Sequence, residues 1–398
     1  MLELIINKNV DTETICLVEN GKLVEKYQDN ETTKENRLEG NIYAGKVSDL
    51  VPGMQSAFID YGDSRKGLLH LKDALPQVNE KNEKNKKNEN ITNKNISDVL
   101  KSGQKLLIQI KKDSNDKKGA KVSTHISIPS KYVVFMPNTD IITISQKIED
   151  EKRIKELLDL AKDNLSKNNG IVIRTSAEEA SNEEIIQDIK RCTDKWNYII
   201  EKYSNSKDIE LIYYSENVQS KILLDLKVDK VITNDRDEFE KIKELIQREQ
   251  IKGVKLELSV KQNLLDMYDL DSQITKSKNR KIWLNCGGFI TIDRTEALTA
   301  IDVNTGKFTG KSDLESTIFK VNKEATVEIA KQLRLHDIGG IIIIDYIDMQ
   351  DKENDEKIEN LLKEELKKDR AKTQVEGFTK LNLMEMTRKH ICSHLDES

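Results

Sequence analysis

The chain has 398 residues, too many for one ordinary domain and enough for two to four. Its 65 lysines and arginines against 70 aspartates and glutamates leave a net charge of −5, which excludes a uniformly basic nucleic-acid coat but not a local basic patch. No run approaches the roughly 18 apolar residues of a membrane span. The start, MLELIINKNV, lacks the basic-then-apolar form of a secretory leader. Cys16, Cys192, Cys286 and Cys392 are scattered with no C-x-x-C pair. A cytoplasmic chain with neither a disulfide framework nor a zinc ribbon is therefore expected.

In chain order, residues 2–6, 14–18 and 22–27 are short β-type runs, with a turn at Asn20-Gly21, and predict a small meander. Residues 41–47, 56–60, 66–70 and 105–110 are further short strands punctuated by glycine, the pattern of a small barrel. Residues 78–97 interrupt it with seven asparagines, and Val78, Ile91 and Ile96 are the only apolar residues there, so this is a low-complexity insert. Helical spacing predicts helices over 151–165, 183–203, 216–227 and 237–247. Strands are expected at 170–177, 209–213 and 230–232, making the middle α/β.

Residues 287–294 and 297–304 predict a hairpin around Arg294–Glu296. Ser312 and Glu315 stand at capping-box spacing and open a long helix with Leu314, Ile318, Val321, Ala325, Ile329 and Leu333 on one face. Gly339-Gly340 ends it. The run Ile341–Ile344, apolar at every position, predicts a strand buried on both faces and stopping at Asp345. A helix over about 353–369 and a basic, RNA-friendly end complete the chain.

Two segments share one design: 300–304 carries Asp302 and Asn304, and 344–348 carries Asp345 and Asp348, each an apolar β run ending in a carboxylate. Ligands of α/β sheets bind at strand ends, and neighbouring strands lie about 4.8 Å apart. Asp302 and Asp345 are thus candidates to share one Mg²⁺, an ion that keeps several waters and accepts phosphate oxygens. Strand capping, or pairing with Arg294 and Lys307, is the plainer alternative, and spacing alone does not decide.

The runs ALTAIDVNTGKFTG (297–310), EIAKQLRLHDIGGIIIIDYIDM (328–349) and EMTRK (385–389) resemble the catalytic core of the ribonuclease E/G family. So do NIYAGKVSDLVPGMQSAFIDYGDSRKGLLHL (41–71) and GIVIRTSAEE (170–179). The resemblance is collinear over about residues 1–390. It implies a Mg²⁺-dependent, single-strand-specific endoribonuclease that leaves 5′-phosphate and 3′-hydroxyl ends and acts on messenger RNA and on ribosomal and transfer RNA precursors. Asp302 and Asp345 would hold the metal, and Asn304 would orient Asp302 or the scissile phosphate. The alternative is a non-catalytic RNA-binding or ribosome-assembly factor of the same fold.

By the same resemblance the fold is a multi-subdomain α+β, α/β arrangement. Residues 1–37 and 216–281 would form a ribonuclease-H-like subdomain, and 38–126 an OB-fold barrel of the ribosomal S-one type. Residues 127–215 would form a 5′-sensor region, and 282–398 a deoxyribonuclease-I-like catalytic subdomain. On the barrel, Phe58 is the candidate stacking residue, with Tyr61 as a fallback; Leu68 stands where the family commonly has a second aromatic. Phe58 in the barrel core is the competing placement. Residues 101–121 hold seven lysines against two aspartates; Lys112 and Lys118 among them are RNA-binding candidates whose affinity should fall with salt.

The 5′-monophosphate pocket maps to Arg174, Thr175, Ser130, Val134 and Gln146. Arginine offers phosphate a planar fork, and threonine adds a hydroxyl. The family often has glycine at the Ser130 position and arginine at the Gln146 position; Lys147 is the candidate substitute cation. Lys372 stands where the family has an arginine near the RNA 5′ end, keeping charge without the fork. The family's C-P-x-C zinc link between two chains has no counterpart, since Cys392 and His394 are not in a C-x-x-C pair. No zinc is expected, and a homodimer through another surface is left open.

Overall fold

The computed structural model describes residues 1–30, 38–74, 95–114, 118–306 and 314–391. Most of the 78–97 insert, Lys307, Ser312, Cys392 and His394 lie outside the described residues. The chain divides into two compact units, one of residues 1–31 with 227–398, the other of residues 32–226.

The first unit holds two sheets. In the five-stranded one, Leu2–Lys8 and Thr12–Glu19 pair antiparallel, as do Thr12–Glu19 and Lys22–Asn30. Asn20 and Gly21 turn the second hairpin at φ 50° and 78°, the left-handed pair that matches strand twist. On the other side Leu2–Lys8 runs parallel to Lys230–Thr233, which runs parallel to Lys255–Leu258. The meander is thus completed by strands more than 200 residues away.

The second sheet has six strands, in the spatial order Lys281–Trp283, Phe289–Arg294, Leu298–Asn304, Gly340–Asp345, Leu383–Arg388, Thr373–Phe378. Only Leu298–Asn304 and Gly340–Asp345 are parallel. Such a pair needs a long crossover, and the helix Leu314–Leu335 supplies it. Its apolar stripe, Val321, Ala325, Ile329 and Leu333, is fully buried against Ile301, Val303, Ile342 and Ile344.

Two expectations are corrected here. The strand Gly340–Asp345 is central but covered on one face only: Ile342 and Ile344 are buried, while Ile341 is 51% exposed. Continuous hydrophobicity fixed its place in mid-sheet, not the covering of both faces. The basic end is also structural: Thr373–Phe378 and Leu383–Arg388 are strands of the sheet. Arg388 is buried, its guanidinium bonded to Asp337 and Asp369 at 2.7 Å each.

In the second unit, Ile42–Val51, Ser56–Asp60, Gly67–His70, Lys121–Ser123 and Lys105–Lys112 pair in that order, and Lys105–Lys112 closes back on Ile42–Val51. This is a closed five-stranded barrel. The strand that links Gly67–His70 to Lys105–Lys112, Lys121–Ser123, is only three residues long and too short for periodicity to reveal. Glu210–Tyr213 adds to the barrel beside Ile42–Val51. A four-stranded sheet, Ile142–Ile144, Asn169–Ile173, Val133–Pro137, Ile128–Pro129, completes the unit. Helices Glu151–Asn164 and Asn182–Asn205 bury Leu157, Ile185, Ile189 and Cys192 against its Phe135, Ile171 and Ile173. The whole chain is mixed α/β. Among the described residues no helix is long and apolar enough to cross a membrane.

Candidate active site

Strand alternation builds the first cluster. With Ile301 and Val303 turned inward, Asp302 and Asn304 face outward; with Ile342 and Ile344 inward, Asp345 faces outward beside them. Asp302 and Asp345 are direct register partners of the parallel pair. Asn304 Nδ2 donates to Asp302 Oδ2 at 2.5 Å. Asp348 lies beyond the strand end and accepts from Asn382 Nδ2 at 2.7 Å.

Burial pushes the Asp345 carboxyl above the ordinary aspartate range, and the charges of Asp302 and Asp348 push the same way. Among the described residues no lysine, arginine or histidine pairs with Asp302 or Asp345. Arg294, considered as a partner from sequence, sits at the far end of its strand and donates to His336 O at 3.2 Å. Two carboxylates side by side, with no cationic partner among the described residues, fit a divalent ion. Among the described residues no three of His, Cys, Asp or Glu form a complete cage, so two carboxylates would leave most positions to water and phosphate, as Mg²⁺ prefers.

Sequence reasoning missed the residues that hold this end of the sheet. Asn322 is fully buried. Its Nδ2 donates to Ile347 O at 2.8 Å and its Oδ1 accepts from Ile347 N at 3.2 Å, fixing the backbone between Asp345 and Asp348. One turn on, Thr326 Oγ1 and Tyr346 OH are 2.9 Å apart. The available signal was two polar residues spaced i, i+4 on the apolar stripe of a long helix.

The candidate phosphate residues divide. Arg174 follows the strand Asn169–Ile173 and is already engaged: Nη1 donates to Ser130 O at 2.8 Å and Nη2 to Asp225 Oδ1 at 2.5 Å. Thr175 is exposed, its hydroxyl 2.9 Å from that of Ser145. Lys147 is half-buried nearby in sequence, its amide donating to Ser145 Oγ at 3.3 Å. Val134 pairs with Val172 inside the sheet. Ser130 departs from its expected position: it is fully buried and its hydroxyl donates to Asp188 at 2.7 Å, so it is not presented to a phosphate. Lys372 belongs to the other unit, exposed just ahead of Thr373–Phe378.

On the barrel, Phe58 is half-buried on the outer face, between the core residues Ala57 and Ile59. Tyr61 is core instead: it is 2% exposed, stacks edge-on against Tyr43 and donates to Asp63 at 2.8 Å. Phe58 pairs across strands with Leu68, Leu68 with Lys121, and Lys121 with Lys112. An aromatic, an aliphatic and two lysines therefore make one row across the barrel surface. Lys118 is exposed just before that row. Lys121 was counted in the basic run 101–121 but not singled out, because its strand is too short to show in sequence.

A family model, that of the Ribonuclease E/G family, matches residues 127–391. Ribonuclease G of Salmonella typhimurium (strain SL1344) is 35% identical over 393 residues, covering 97% of this chain and 79% of that protein. Ribonuclease G of Haemophilus influenzae is 36% identical over 403 residues, covering 99% and 81%. Ribonuclease E of Buchnera aphidicola subsp. Schizaphis graminum is 36% identical over 421 residues, covering all of this chain and 41% of that protein. Collinear similarity of this extent, with the strand-end carboxylates inside the matched span, establishes that the chain belongs to the ribonuclease E/G family.

Proposed function

We propose that this chain is a Mg²⁺-dependent endoribonuclease that hydrolyses single-stranded RNA to 5′-phosphate and 3′-hydroxyl ends, in the processing of ribosomal and transfer RNA precursors and the decay of messenger RNA. As a member of this family the chain is an enzyme, a hydrolase of RNA. The observation that carries the finer reading is the register pairing of Asp302 with Asp345 on an open sheet face, without a cationic partner among the described residues. Asp302 and Asp345 would hold the ion, and Asn304, bonded to Asp302, fixes that carboxylate's rotamer. Bound there, Mg²⁺ would supply positive charge to a phosphodiester as negative charge builds on it. Asn322 keeps the turn after Asp345 from moving as RNA binds.

The barrel row of Phe58, Leu68, Lys121 and Lys112 suits a single strand: an apolar surface for a base and cations for its phosphates. This supports an OB-type role for residues 38–126. Arg174 and Thr175 are the 5′-phosphate candidates, with Lys147 as a further cation. The pairing of the N-terminal meander with residues 230–258 supports a ribonuclease-H-like subdomain interrupted by the barrel and sensor. The six-stranded sheet supports a catalytic subdomain from about residue 282. A cytoplasmic location and a homodimer formed without the zinc link belong to the same proposal.

End-group analysis of a purified reaction tests it. Products of a 5′-labelled, A/U-rich single strand should carry 3′-hydroxyl and 5′-phosphate ends and form only with Mg²⁺. RNA that is bound but left intact under those conditions would instead favour a binding factor.

A further inference from the structure

On the open face of the catalytic sheet, one residue pair along from Asp302, the strand register places Asn304 opposite Phe289 and Phe289 opposite Trp283. Trp283 is therefore two strands from Asn304, about 10 Å between backbones. The indole is 56% exposed, unusual for the largest apolar side chain on a sheet surface. Its ring meets Phe289 edge-to-face with centroids 5.3 Å apart. Lys281 Nζ lies 3.5 Å from the Phe289 centroid and 4.4 Å from that of Trp283. Gly306, at φ 60°, closes against both rings: a Cβ there would sit 3.2 Å from Phe289 and 3.3 Å from Trp283. The aromatic pair is thus braced, not loose.

Arg280 and Asp293 neutralise one another through two bonds of 2.5 and 2.6 Å. No carboxylate pairs with Lys281 among the described residues. An exposed indole braced by Phe289, an ammonium beside it with no carboxylate partner among the described residues, and the carboxylate cluster next in register combine a base-sized apolar plane with a phosphate-sized cation.

We infer that Trp283 is a base-stacking subsite for the RNA strand next to the cleavage position, with Phe289 bracing the indole and Lys281 taking a neighbouring phosphate. This rests on reading Asp302 and Asp345 as the cleavage centre. The subsite prefers a base of any identity over none, because stacking needs only a π surface.

The chain's two tryptophans make the test direct. Trp196 is 9% exposed, so Trp196→Phe leaves Trp283 as the sole emitter. In EDTA, a ten-nucleotide A/U strand should quench that emission, and the same strand made of abasic residues should not. With Mg²⁺, Trp283→Ala should raise KM for the base-bearing strand roughly 5- to 100-fold with a smaller change in kcat, and Trp283→Tyr should restore most of it. Emission unchanged at saturating RNA, or equal KM for wild type and Trp283→Ala, overturns the subsite. If the protein cleaves RNA and emission does not change, the subsite alone fails. If emission is quenched only by base-bearing RNA and nothing is cleaved, the nuclease reading fails while the stacking contact stands.

Discussion

Asp302 and Asp345 stand side by side with no cation to offset them among the described residues, whereas Arg174 already has both ends of its fork filled by Ser130 O and Asp225. The first cluster stores electrostatic repulsion that a divalent ion would relieve. The second is closed on itself, so a 5′-phosphate, if Arg174 binds one as proposed, would compete with a carboxylate that the fold supplies. An unsatisfied site binds its ligand by default. A satisfied one binds only if the ligand outbids an internal partner, which makes it suited to discrimination and not to affinity.

The largest effect that would break this contrast is on cleavage. Asp302→Asn or Asp345→Asn should lower kcat by about three orders of magnitude or more, the loss of several kcal/mol of transition-state stabilisation, while RNA affinity in EDTA stays near wild type. Retained cleavage in either purified variant would refute the assignment. Thermal unfolding gives an independent reading. Mg²⁺ should raise the wild-type Tm by mass action. Asp345→Asn, which removes the repulsion, should lose that response without lowering the metal-free Tm.

The Arg174 side is sharpened by a pair of opposite changes. Arg174→Ala should erase any rate advantage of 5′-monophosphorylated over 5′-hydroxyl RNA. Asp225→Asn, which frees the fork from its internal ion pair, should increase that advantage several-fold, in line with the strength of charged hydrogen bonds. Equal ratios in all three proteins would show that Arg174 is structural. On the barrel, Phe58→Ala should weaken single-strand binding by about 1–3 kcal/mol. Lys112→Ala should also reduce the salt dependence of binding by about one counterion.

A third charged group gives the smallest effect on cleavage, confined to stability. Glu25 is buried, which by itself would raise its carboxyl, but Arg370 at 2.7 Å and the Tyr27 hydroxyl outweigh burial and hold it below the ordinary range. With the folded value lowered, its contribution is complete above the unfolded glutamate value of 4.5 and is lost as pH falls through the folded one. Glu25→Gln should therefore destabilise at neutral pH by about 3 kcal/mol, as expected for one partner of a buried pair, and by progressively less as pH falls below 4.5. A penalty independent of pH would show that the pair contributes by packing alone.

What could be read from sequence follows the physics of each element. Helices with a continuous apolar stripe and strands ending at a carboxylate were visible as pattern, and so was the hairpin that carries Asp302. The register that sets Asp302 against Asp345 was an inference from strand spacing, since only a folded sheet defines partners. Lys121–Ser123 was too short to show alternation, yet it links two strands of the barrel and brings Lys121 into line with Phe58. Ser130 illustrates a different limit: its matched position suggested phosphate binding, but burial of Asp188 beside it claims its hydroxyl. Trp283 carried no pattern at all, because its meaning lies in cross-strand neighbours 6 and 21 residues away, Phe289 and Asn304.

The most direct measurement is cleavage of one 5′-labelled, A/U-rich single-stranded RNA by wild type and Asp345→Asn, each with Mg²⁺ and with EDTA. Products should form in a single lane set, wild type with Mg²⁺. Cleavage by Asp345→Asn, or by wild type in EDTA, would contradict the claim that the paired strand-end carboxylates are the metal-dependent centre.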